Sequence, residues 1–130
     1  MADYTVVNFK SDVQDMAPQF GHAPDMEARF GRKNLEMEKG GVSYFRIAPD
    51  FKMPFGHTHS EQEEVYLVVS GNAQAKVGNE VVDLGQWDAV RVGPGVWRSL
   101  AGGSEGAEIV AFGAPNTENK DAEMEQDFWE

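Results

Sequence analysis

Over residues 40–113 the chain is a succession of short runs rich in Val, Phe, Tyr and Ile, separated by Gly, Pro and Asn. β-Branched and aromatic residues favour strands and the separators favour turns. The spacing therefore predicts strands near 42–48, 53–59, 64–69, 73–77, 80–83, 89–92, 97–101 and 108–112. Successive strand residues point to opposite faces, so Val65, Leu67 and Val69 share one face while Glu64, Tyr66 and Val68 share the other. Apolar residues on both faces mean that both sides of the sheet are covered, as in a barrel or a two-sheet roll. The fold class read from this pattern is all-β.

The flanks are less regular. Residues 4–9 read as a strand able to pair with a sheet edge, 11–21 as a short helix or turn, and 27–33 as either strand or helix. Residues 116–130 form an acidic tail of a kind that usually frays, yet it ends in Phe128 and Trp129, which suit docking on the body or on a second subunit. A chain of 130 residues has room for one hydrophobic core. It is read as one domain, with an N-terminal arm at 1–41, a barrel at 42–112 and the tail at 116–130.

Charge narrows the partners. With 22 acidic against 11 basic residues the net charge is −11, which repels phosphate backbones and anionic headgroups. Neither nucleic acid nor membrane is expected, and no apolar run approaches the ~18 residues of a membrane span. Without cysteine, and with a start, MADYTVVNFK, unlike a secretory signal, a cytoplasmic setting is the expectation. A homodimer paired through sheet edges, with 4–9 contributing, is expected as well.

Two of the three histidines, His57 and His59, are one residue apart. On a strand they face the same way, and a hairpin through Ser60, Glu61 and Gln62 would return the Glu64 carboxylate to them. Two imidazoles and a carboxylate suit divalent iron, manganese, nickel, copper or zinc with coordination positions left open. Taken alone, the same three residues also fit a solvated turn beside an acidic run. Tyr66 and Arg91 are candidates for the same cavity, although Tyr66 equally suits the core and Arg91 an outward ion pair. Trp87, Trp97, Met53 and Phe55 read as core. His22, in the loop QFGHAP, is a remote candidate as an extra ligand. The nucleophile-elbow and glycine-rich phosphate-loop patterns are missing.

The segment PFGHTHSEQEEVYLVVSG resembles the first motif of the cupin superfamily: His-x-His, three or four residues, Glu, six residues, Gly. Here these are His57, His59, Glu64 and Gly71. WDAVRVGPGVWRSLAG resembles the second motif in part. Gly95 is kept, whereas Trp87, Gly93 and Gly102 replace the first Gly, the Pro and the Asn, and Phe51 replaces a Gly upstream of the first motif. Arg98 stands where the family has its fourth metal ligand, a histidine.

The resemblance, over residues 42–112, implies a small single-domain cupin: a jelly-roll barrel of two antiparallel sheets. It also implies a divalent metal ion on His57, His59 and Glu64, and a small anionic or sugar-like molecule as substrate of a metal-dependent dioxygenase or isomerase. A guanidinium has only donors and stays protonated, so it cannot ligate a metal. Two roles are therefore expected for Arg98. Either it faces the open side as an anion anchor, or it pairs with Glu64 and leaves a metal-free, non-catalytic cavity for a small ligand.

Overall fold

The computed structural model describes residues 3–130. Their strands are β1 (Met26–Phe30), β2 (Gly41–Ile47), β3 (Phe55–His59), β4 (Glu63–Val77), β5 (Glu80–Leu84), β6 (Ala89–Val92), β7 (Arg98–Ala114) and β8 (Ala122–Gln126), with one turn of 3-10 helix at Ala17–Phe20. All pairings are antiparallel. β1-β2-β7-β3-β8 follow one another in that order, and β4 pairs with β5, β6 and β7. The protein is all-β, a curled sheet whose two halves are continuous through β4 and β7. Among the described residues no helix is long and apolar enough to cross a membrane.

The sequence pattern splits β4 and β7 into two strands each, at 69–73 and 101–108. In the structure each is one strand with a bend. Gly71 and Gly106 adopt left-handed φ values of 74° and 72°, and the β4–β7 register shifts beside Gly71. The two backbones touch there, since a Cβ on Gly71 would lie 2.0 Å from the Gly106 carbonyl oxygen. Glycine at this bend lets the chain pass from one half of the sheet to the other without ending the strand.

Alternation directs the core. Tyr66, Val68, Ala73 and Ala75 of β4 are buried, as are Leu100, Ile109 and Ala111 of β7, and β2 contributes Ile47. The flanks depart further from the sequence reading. Residues 4–9 belong to no strand, with Phe9 already in a turn, and Tyr4 and Val6 face solvent. The free edge of β1 is instead taken by Asp15, bridged to Arg29, and by the Met16 amide, which donates to the Ala28 carbonyl. Of residues 27–33 the first four are strand, in β1, and 31–33 lead into a turn; the tail does not fray, because β8 pairs with β3 along its whole length.

The two kinds of glycine constraint separate in a stability measurement. Gly78, in the β4–β5 turn, also has a left-handed φ, 61°, but open space around it. Gly78→Ala is expected to cost about 1–2 kcal/mol from backbone strain alone. Gly71→Ala adds a backbone clash and is expected to lose more than about 3 kcal/mol in urea denaturation.

Candidate metal centre

β3 brings His57 and His59 to the inner face, with ring centroids 5.1 Å apart and planes nearly perpendicular. Intervening Thr58 and preceding Gly56 face the other way, where Phe128 covers Gly56. After the turn at 60–62, β4 carries Glu64 and Tyr66 inward. The Glu64 Oε1 lies 3.5 Å from His57 Nε2, and ligand-capable atoms of His57, His59 and Glu64 all lie within 4.8 Å of one another. Among the described residues these three form the group of metal-capable side chains.

Arg98 opens β7 directly across from His57 and is 1% exposed. Its Nη2 donates to Glu64 Oε1 at 3.1 Å, its Nε to the Tyr66 hydroxyl at 3.2 Å and its Nη1 to the Val96 carbonyl at 2.9 Å. The Tyr66 hydroxyl donates in turn to the same Glu64 oxygen. Three of the five guanidinium N–H groups are thus engaged. The side chain is buried and, of the two positions expected from the sequence, takes the one that pairs with Glu64.

These contacts fix the protonation states. Burial alone would raise the Glu64 pKa, but hydrogen bonds from His57 and Tyr66 and the charge of Arg98 hold it at about 2. Burial, reinforced by the Arg98 charge, lowers that of His57 despite Glu64, leaving a neutral imidazole at pH 7. Burial and the Glu64 charge raise the Tyr66 phenol well above its usual range, so it remains a donor. His59 takes its partner from the tail: Nδ1 lies 3.0 Å from Asp121 Oδ1.

The donor set fits a divalent ion: two imidazoles and an ionised carboxylate with one oxygen not claimed by Arg98 or Tyr66. Both claims on Glu64 fall on Oε1, the arrangement by which outer hydrogen bonds orient a ligating carboxylate. Arg98 itself offers no lone pair, so the group ends at three.

The remaining candidates lie elsewhere. Arg91 is on the outer face, paired with Glu63 at 3.0 Å, because Val90 and Val92 hold the inward positions of β6. It does not line the cavity with Arg98. The His22 ring sits 6.4 Å from Phe51 and 6.2 Å from Phe55, outside the triad. Trp87 is 65% exposed in the turn before β6, not core as its size suggests, whereas Met53 is buried and Trp97 stacks on Phe128. Asp121 carries no sequence signal linking it to His59: it is one of many carboxylates in an acidic tail, 62 residues away.

No family model and no curated protein matches the chain. Solved structures do. A cupin protein from Bacteroides fragilis superposes with a TM-score of 0.71 at 19% identity, over 90% of this chain and 88% of that one. Pac13 from Streptomyces, solved with uridine, gives 0.75 at 15% identity over 97% and 93%, and is described as a nucleoside dehydratase. An oxalate decarboxylase from Bacillus subtilis gives 0.70 at 22% over 90% of this chain, matching 32% of that longer one. The match runs nearly end to end with the two smaller proteins and rests on shared strand order and curl, since identity is low. The chain has the fold of the cupin superfamily.

Proposed function

We propose that the protein holds a divalent metal ion on His57, His59 and Glu64 and acts on a small anionic or sugar-like molecule at the open coordination positions. The observation that carries this reading is the convergence of two imidazoles and an ionised carboxylate within 4.8 Å. When bound, such an ion acts as a Lewis acid that polarises an oxygen of the bound molecule.

The protein's own residues prepare the site. Asp121 holds the His59 ring, Arg98 and Tyr66 keep Glu64 ionised and fix its rotamer, and β3 sets the spacing of the histidines. With Glu64 and Asp121 negative and Arg98 positive, the buried groups carry one net negative charge, which favours a cation. Among the similar folds, Pac13 handles a nucleoside and oxalate decarboxylase a dicarboxylate. They support a small polar substrate for this fold, of the kind expected for oxygen-dependent cleavage or enediol isomerisation. Oxygen consumption separates those two reactions.

The 3.1 Å contact of Arg98 with Glu64 favours a second reading, a metal-free cavity that binds a small ligand without turnover. Elemental analysis of protein purified without chelators decides between them. The first reading expects about one metal ion per chain, lost in His57→Ala and His59→Ala. A metal-free protein whose melting temperature ignores added iron, manganese, nickel and zinc would sink it and leave the second.

Two further measurements probe the Glu64 network. Arg98→Ala strips a buried carboxylate of its partner and is expected to cost about 3–5 kcal/mol, whereas Arg91→Ala, removing an exposed pair, changes stability by less than about 1 kcal/mol. The sign of the pH effect follows from Glu64 having a lower pKa folded (about 2) than the ordinary 4.5 of a glutamate. Its contribution is complete above the higher value and disappears as pH falls through the lower one. Acid titration of unfolding free energy should therefore show a shallower decline between those two values in Glu64→Gln than in the parent protein.

A further inference from the structure

We infer that the C-terminal segment is a working part of the metal centre: Asp121 is a positioning residue that sets the ring orientation and tautomer of His59, making the site dependent on the docked tail. Its affinity consequence rests on the metal reading above. Its tautomer consequence does not.

Asp121 is held from four sides. Its Oδ1 lies 3.0 Å from His59 Nδ1 and accepts from the Thr117 hydroxyl at 2.5 Å. Its Oδ2 accepts from the backbone amides of Gln62 and Glu61 at 3.0 and 3.1 Å. The side chain is 4% exposed. One carboxylate therefore ties the tail, the β3–β4 turn and a candidate ligand into a single unit. An ionised carboxylate only accepts, so the nitrogen facing it must carry the proton. Nδ1–H of His59 then donates, and Nε2 keeps its lone pair for a metal.

The residues after Asp121 hold this arrangement in place. β8 starts immediately and pairs Ala122 with His59 and Met124 with His57, so both histidines sit on a strand whose outer edge the tail completes. Beyond β8, Phe128 stacks on Trp97 with centroids 6.3 Å apart, and the Trp129 indole donates to Ser99 Oγ at 3.0 Å. Lys76 donates to the Phe128 carbonyl at 2.5 Å. Thus the tail is anchored on β4 and β7 as well as on β3. A free imidazole prefers the opposite tautomer, with the proton on Nε2, which would place N–H where a lone pair is needed.

Long-range 15N–1H correlation spectra of the metal-free full-length protein test the tautomer directly. The parent is expected to show His59 protonated on Nδ1, and Asp121→Ala to move it toward the Nε2–H form. Cobalt binding followed by visible absorption is expected to weaken ten- to a hundredfold in Asp121→Ala, the range seen when an outer partner of a ligating histidine is lost, with partial recovery in Asp121→Asn, which keeps an acceptor oxygen. Circular dichroism melts restrict the comparison to temperatures at which each variant is folded, and Asp121→Asn serves alone if Asp121→Ala does not fold. A parent protein with His59 protonated on Nε2, or an Asp121→Ala variant with unchanged tautomer and cobalt affinity, overturns the inference. A parent that binds no cobalt yet shows the Nδ1–H form, lost in the variant, sinks the metal reading and upholds the positioning role.

Discussion

A guanidinium with 1% exposure is the constraint around which this interior is organised. An unpaired buried cation is among the costliest things a fold can contain. Arg98 is tolerated because Glu64, Tyr66 and the Val96 carbonyl all present oxygen to it. That requirement dictates much else: Glu64 must stay ionised, Tyr66 must stay protonated, and the starts of β4 and β7 must be held within reach of each other inside the fold. Arg98 contacts the neighbouring Glu64 carboxylate directly.

Much of this was legible in the sequence, and the reason is periodicity. Alternation in EVYLVV assigns Glu64, Tyr66 and Val68 to one face before any coordinates exist, and the i, i+2 spacing of His57 and His59 does the same on the preceding strand. Arg98 was legible as a departure but not as an outcome, because an inward Arg can serve either a ligand or a carboxylate, and only the 3.1 Å contact to Glu64 decides. Strand ends were less legible. Gly71 marks a bend under close backbone contact, and local sequence cannot distinguish that from a turn. Trp87 was misplaced as core because size usually predicts burial, whereas it sits with φ 71° in a turn that carries it outward.

Asp121 illustrates the limit most clearly. Its role depends on a contact closed across 62 residues, and no local pattern encodes that. The visible hint was the pair of aromatics at the end of the tail, which implied docking somewhere. It did not identify the strand that would be met.

That long closure also has a temporal side. Every other member of the inner group, from His57 to Arg98, lies before β8 in the chain. At ordinary translation rates of about 5–20 residues per second, the 62 residues that separate His59 from Asp121 correspond to roughly 3–12 s of synthesis. Late in that interval a nascent chain can already pair β3 with β7, yet its second histidine has no carboxylate against which to orient. Completion of the inner group is therefore a late event that waits for β8, and the newly made barrel passes through a stage in which its walls exist before the ring of His59 is held.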